Sequence, residues 1–362
     1  MSFFSASGTE EEQAAYVSAM VQEIQSYQEL SGEYEVQTIF LGGGTPSLLT
    51  PEQIEQIFNA IYHTFSVNEN AEITMEMNPG TVDIEKLRAM KAAGVNRLSI
   101  GLQSAQNEEL KMLGRIHTYE EFLETWKLTE QAGFKNRNID LMSALPGQTI
   151  ESYEDTLSKV LALEPEHISA YSLILEEGTV FTTGMKKGIR RGAWKLPQRK
   201  EEYAMGELTI LRLAEAGMHR YEISNYAKPG KECRHNLGYW ERTEYLGIGA
   251  GSSSLIKGER FDHIRDRKAY IEKIRNGESI LIDREILSVE SQMEEFMYLG
   301  LRKVEGVSRT DFQNYFGKNV DDVYGKILDK LEEEQLLEFS GDRIRLTHRG
   351  MDVSNCVLAS SI

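Results

Sequence analysis

Cysteine is nearly absent: the 362-residue chain carries two, Cys233 and Cys356, 123 positions apart. That separation excludes a disulfide framework and any local thiolate metal site. Proline is scarce, with 7 residues, and no apolar run approaches the ~20 residues that a membrane-spanning helix requires. The opening "MSFFSASGTEEEQ" has neither the basic nor the apolar region of a signal peptide. A cytoplasmic protein without an integral membrane segment is expected. Basic charge is also short: 40 Lys and Arg face 57 Asp and Glu, for a net charge of −17. This disfavours broad contact with nucleic acid or anionic membrane, so no nucleic-acid partner is expected. With 40% hydrophobic residues, the chain has the means to bury a full core, as one large domain and a small one.

Apolar strands read near 36–41, 71–77, 96–102, 136–142 and 167–175, with amphipathic helical stretches between them. In the first helix Thr50 caps, Pro51 takes the first turn and Gln53 completes a capping box. Ile54, Ile57, Phe58 and Ile61 make its apolar face, and Gly94 and Gly133 stop two later helices. Strand and helix alternating at this spacing predict a parallel α/β sheet, open or curled into a barrel.

Such folds place their chemistry at the C-terminal ends of the strands. Those ends carry Gly42, Gly43, Gly44 and Thr45, then Glu76 in "MEMNPG", Gln103 in "GLQS", Asp140 in "NIDLM" and Tyr171 in "SAYSL". Five ends in register suit one ligand with an amine, a carboxylate and hydroxyls; each residue taken alone reads equally well as a loop cap. The glycine run fits no phosphate motif, since it lacks the P-loop lysine and its helix starts six residues later, at Thr50.

The order GGGTPS, E-x-N-P, G-x-Q-S, "LGRIH" and "NIDLMSALPGQT" resembles the radical S-adenosylmethionine (SAM) proteins related to oxygen-independent coproporphyrinogen III dehydrogenase. It is most similar to their haem chaperone branch, HemW, over nearly the whole chain. The resemblance implies a partial (β/α) barrel with a small C-terminal winged-helix-like α+β domain. It implies that Gly43, Gly44 and Thr45 hold the methionyl part of SAM, that Glu76, Gln103, Arg115 and Asp140 continue toward carboxylate and ribose, and that backbone near Ile174 meets the adenine.

The family also binds a [4Fe–4S] cluster through a C-x-x-x-C-x-x-C loop after its first barrel strand. This sequence contains no such loop, and the strand before it is missing too, which leaves five parallel strands where six are expected. Two distant cysteines cannot replace three clustered thiolates. The chain as given is therefore expected to be catalytically inactive, without a catalytic residue to name, and to be an N-terminally shortened product or one with a misplaced start, ahead of a genuine cluster-free relative. An unpaired strand edge at that position would favour aggregation unless covered.

A second distinctive stretch, residues 221–254, contains His235, Asn236, Tyr239 and Trp240. They match the H-N-x-x-Y-W motif of the haem chaperone branch, which implies haem contact, with His235 as iron ligand. Imidazole is an ordinary axial ligand and aromatics pack on porphyrin faces. Read without the resemblance, the same residues are a satisfied histidine and two packed aromatics. Cys233 reads as a buried thiol, and Gly247, Gly249 and Gly251 as either a tight turn or a closure of the SAM pocket. The basic segment at 185–200 suits porphyrin propionates, and also suits a solvated loop. His63, His167, His219, His263 and His348 match no ligand spacing and are expected to be structural.

Past residue 287, helices precede a hairpin turned by Ser340, Gly341 and Asp342. The helix expected at 319–335 carries six acids against Lys326 and Lys330, so it would repel phosphate. The expected division is 1–180 for the partial barrel, 181–286 for an extension with the H-N-x-x-Y-W motif, and 287–362 for the winged-helix-like part. Three functions are weighed: a haem chaperone delivering haem to acceptor proteins, an oxygen-independent coproporphyrinogen III dehydrogenase, and a cluster-free binding module. The motif favours the first; the acceptor and the oligomeric state are not legible.

Overall fold

The computed structural model describes residues 9–174, 195–355 and 357. Lys186, Lys187, Arg190 and Arg191 of the basic segment, and Cys356, lie outside them. The chain divides into two compact units.

The first unit holds residues 33–220 and 224–232. Its seven-stranded sheet runs in the order β1-β2-β3-β4-β5-β7-β6. Five parallel strands, β1 (Glu35–Leu41), β2 (Ser66–Met77), β3 (Arg97–Gln103), β4 (Arg137–Ser143) and β5 (His167–Ser172), follow chain order. Two short strands extend this sheet, β6 (His219–Arg220) and β7 (Asn225–Ala227), the latter antiparallel to β5. All seven residues of β3 are buried, as expected for a central strand covered on both faces. Among the described residues β1 pairs with β2 alone. The strand at 71–77 starts five residues earlier than its apolar pattern suggests, because polar Ser66–Asn70 includes the residues that begin pairing with β1.

The connecting helices start where side chains satisfy their first amides. Thr50 and Gln53 form the expected capping box on α2 (Pro51–Thr64), whose Ile54, Ile57 and Phe58 are buried. A further helical turn, Pro46–Leu48, follows Thr45 directly and was not anticipated. Asp83 caps α3 (Ile84–Ala92); the short α4 (Asn107–Met112) precedes α5 (Tyr119–Gln131) and α6 (Ile150–Leu161), which carry boxes at Thr118 and Thr149. Gly94 and Gly133 end α3 and α5 with φ of +101° and +81°. Helix α7 (Arg199–Glu215) completes the layer over a core that includes Met75, Leu98, Ile139 and Ile168.

The second unit holds residues 10–32, 221–223 and 233 onward. Helix α1 (Glu10–Ser26) packs Ala19 with Tyr270 of α9 (Arg267–Asn276) and Ile280. The short helix α8 (Arg234–Trp240) precedes an antiparallel sheet of β8 (Ser253–Ile256), β9 (Glu259–His263) and β10 (Leu281–Ile286). The C-terminal part has α10 (Val289–Gly300), β11 (Val307–Ser308), α11 (Arg309–Phe316) and α12 (Val320–Glu333). Then come β12 (Leu337–Ser340), β13 (Arg343–Leu346) and α13 (His348–Asp352). The sheet order β11-β13-β12, with the hairpin turned at Gly341 (φ +60°), is the winged-helix arrangement read from the sequence.

Candidate functional site

In the first unit, parallel pairing sets the ends of β1 to β4 side by side. Gly42, Gly43 and Gly44 are exposed after β1, and the Gly43 N–H donates to Glu76 Oε2 at 3.1 Å. A Cβ at Gly43 or Gly44 would meet nothing within 4 Å, whereas one at Gly42 would come to 2.8 Å from Glu76 Cδ. The glycines thus leave an open cradle of backbone beside a carboxylate. Gly43, with φ of +84°, also needs a conformation that other residues adopt at a cost.

Burial raises the Glu76 pKa to about 7, reinforced by the Asp140 carboxylate and opposed by the Gly43 N–H. Burial also raises that of Asp140, against hydrogen bonds from Asn138 and Ser169 and the positive charges of Arg97 and Arg115. Desolvation lowers the Arg115 pKa while Asp140 supports its charge. Arg115 Nη1 donates to Asn78 Oδ1 at 3.4 Å, and Asn78 Nδ2 donates to Thr45 Oγ1 at 3.3 Å. Gly43, Thr45, Glu76, Arg115 and Asp140 are therefore one connected cluster. Gln103 is buried at an irregularity between β3 and β4, with φ of +74°. Such a bulge re-aims a strand end at some cost in strain. Tyr171 and Ile174 are 42% and 70% exposed, at the edge of the described segment.

Asn138 was not singled out from the sequence. Its Nδ2 donates to Asp140 Oδ1 and to Ser99 Oγ, both at 2.7 Å, and its Oδ1 accepts from His167 Nδ1 at 2.6 Å and Ser169 Oγ at 3.2 Å. Burial and the nearby Arg97 charge hold His167 neutral, well below the usual histidine pKa. The imidazole left as structural in the sequence thus orients the amide that orients Asp140. The signal was available: Asn138 and Asp140 are two apart on one strand and share a face.

In the second unit, α8 sets His235 and Tyr239 one turn apart. His235 Nε2 lies 3.0 Å from Tyr239 Oη, and the two rings meet edge-on at 4.9 Å. Tyr239 in turn meets Tyr245 edge-on at 4.8 Å. Burial pushes the Tyr239 phenol up to about 12, with Tyr245 and Cys233 contributing. Trp240 turns elsewhere: the Arg302 guanidinium lies 5.1 Å from its ring centroid and 5.3 Å from that of Tyr298. Cys233 is fully buried, and its N–H donates to Tyr221 Oη at 3.1 Å.

A family model of the Radical SAM superfamily matches residues 12–160, and one of the HemN C-terminal domain matches residues 287–353. "Heme chaperone HemW" of Bacillus subtilis is 37% identical over 346 residues, spanning 95% of this chain and 90% of that protein. The chain belongs to the HemW family. The HemW protein of Escherichia coli is 35% identical over 325 residues, covering 90% and 83% of the two chains. Coproporphyrinogen III oxidase (HemN) from Escherichia coli, a solved radical SAM enzyme, superposes with a TM-score of 0.83 at 23% identity, covering 97% of this chain and 84% of that one. That likeness establishes a HemN-like fold. As a radical SAM superfamily, the HemW family implies SAM and a [4Fe–4S] cluster. No helix among the described residues is long and apolar enough to cross a membrane.

Proposed function

We propose that this chain is a haem chaperone, binding haem on α8 for delivery to acceptor proteins, with SAM held at the strand ends of the first unit. The observation that carries the haem reading is the His235–Tyr239 pair: an imidazole only partly buried, 3.0 Å from a phenol that is 37% exposed. As cargo, haem offers iron to one imidazole nitrogen and a flat apolar face to neighbouring rings. Tyr239 Oη already engages Nε2, so it competes with iron for that nitrogen and moderates the affinity. A carrier that must release its cargo benefits from such a competitor. Haem titration followed by absorbance tests this: His235→Ala should weaken binding at least tenfold, and unchanged titration curves would remove His235 as ligand.

The strand-end cluster fits SAM. The cradle at Gly43 and Gly44 admits a ligand's backbone-sized groups, Glu76 suits an ammonium, and Arg115 suits a carboxylate. Gln103 and Asp140 provide polar ends for hydroxyls, and backbone at Ile174 a flank for the adenine. When bound, SAM supplies a sulfonium and, with a reduced cluster, a source of a radical. The cysteines of this chain do not fit such a cluster: Cys233 is buried in the second unit, and its sole companion, Cys356, is 123 positions away. Binding is the function proposed for these residues. Calorimetry with SAM should show heat for the wild type and none for Gly43→Val; equal heats would count against the site.

A further inference from the structure

The second unit holds a cavity of about 310 Å³ whose lining includes Tyr239, Arg242, Tyr245, Leu255, Arg260 and Asp262. We propose that this cavity receives a carboxylate-bearing edge of the porphyrin, with Arg242 and Arg260 as the propionate donors. The proposal rests on the reading of α8 as the haem site, and it names a part of the ligand that the H-N-x-x-Y-W motif does not address.

Three observations converge on it. Tyr239 belongs both to the His235 pair and to the cavity wall, so a macrocycle against His235 has an edge within reach of the cavity. The volume is at the lower end for small-molecule sites, roughly 300 Å³ and upward, which suits one edge of a porphyrin rather than the whole ring. Finally, two guanidiniums share a single carboxylate: Arg242 Nε donates to Glu295 Oε2 at 3.2 Å and Arg260 Nη1 to Glu295 Oε1 at 2.6 Å. Each guanidinium has five N–H donors, so Glu295 takes only a fraction of them. Asp262 in the lining and Glu295 beside it together balance the two guanidiniums. Recognition therefore rests on directed donors more than on net charge.

Arg242 stands where its backbone would prefer glycine. It follows the end of α8 with φ of +56°, and the Thr243 N–H donates to the Gly238 carbonyl at 2.8 Å, closing the helix in the manner of a glycine C-cap. An arginine there accepts a strained conformation, and its side chain is only 5% exposed. That backbone places its guanidinium on the cavity wall beside Glu295.

The test compares haem with its dimethyl ester, in which both propionates are blocked, on the full chain by absorbance titration. Haem should bind the wild type at least tenfold more tightly than the diester, and Arg260→Gln should remove most of that difference while leaving diester affinity unchanged. Equal affinities of wild type for the two ligands, or an equal loss for both in Arg260→Gln, would overturn the proposal. The wild-type comparison needs no variant to fold. A preference for haem that vanishes in Arg260→Gln while His235→Ala has no effect would keep the propionate site and remove the iron ligand; failure of both ligands to bind would remove the haem reading and this proposal with it.

Discussion

Two carboxylates in this protein, Glu76 partly buried and Glu23 fully buried, each accept a glycine amide in opposite surroundings. Glu76 accepts the N–H of Gly43, and Glu23 on α1 accepts the N–H of Gly249 at 2.9 Å. Burial raises each pKa to about 7. Around Glu76 the glycine backbone is open, and the neighbours are charged: Asp140 and Arg115. Around Glu23 everything is closed: Tyr270 Oη donates to Oε2, His263 Nδ1 lies 3.2 Å from Oε1, and a Cβ at Gly249 would stand 2.7 Å from Tyr16 Oη. A carboxylate on a glycine amide is thus accessible to a ligand, as proposed for SAM, when the glycine backbone is open, and an internal tie when tyrosines fill the space. The Gly247–Gly251 loop, read from sequence as either a turn or a SAM closure, binds α1 through Gly249 and Ala250, and φ of +96° and +72° at Gly249 and Gly251 make it a turn.

The comparison breaks most visibly if the two glutamates respond alike to removal. Glu23→Ala strands the Gly249 amide and the Tyr270 hydroxyl, while the His263 ring keeps Ser252 Oγ, and should cost about 3 kcal/mol in urea denaturation. Glu76→Ala should cost under about 1 kcal/mol, because the group faces an open cradle, yet abolish measurable SAM heat. Similar losses of stability for the two would erase the distinction.

Acidity sharpens it next. A carboxylate whose folded pKa lies above its unfolded value near 4.5 stabilises the fold in its protonated form, fully below that value and progressively less as pH rises through about 7. His263, lowered by burial, acts in the other direction, favouring the fold in its neutral form and losing that contribution as pH falls below its ordinary value of 6.5. Between pH 5 and 8 the Glu23 contribution should decline by roughly 2 to 3 kcal/mol. Glu23→Gln should flatten that decline, as read from denaturation midpoints across the range, and an unaltered pH profile would show that Glu23 does not carry it.

Smaller still are the glycines. Gly249→Ala must displace Tyr16 and hold φ of +96°, costing about 1 to 2 kcal/mol, whereas Gly44→Ala, with open space around its Cβ, should stay within about 0.5 kcal/mol. Thermal midpoints of the two variants give the order directly.

The same contrast explains what was legible. Alternating apolar strands and capped helices made the parallel α/β sheet legible, whereas its order, in which parallel neighbours follow chain order from β1 to β5, appears only in the structure. Glu76, Asp140 and the glycines were found because strand ends are marked by position alone. Arg115 and the α8 residues needed the family resemblance, since nothing in "LGRIH" or "RHNLGYW" fixes where those side chains go. Glu23 was invisible: in α1 it is one acid among four glutamates, and its partners Gly249, His263 and Tyr270 are more than 220 positions away. His167 and His263, read from the sequence as structural, each lie in a carboxylate's surroundings, a placement visible only once distant strands are paired.

Helix α8 has seven residues, too few to persist as a helix in water on its own. Trp240, clamped beneath Arg302 together with Tyr298, ties its last turn to the second unit, while His235 and Tyr239 engage each other rather than this clamp. The motif therefore divides into an anchor and a working face. A synthetic peptide spanning residues 233–245 would contain every letter of the signature and none of its geometry, and grafting the site onto another scaffold would require bringing Tyr298 and Arg302 along with it.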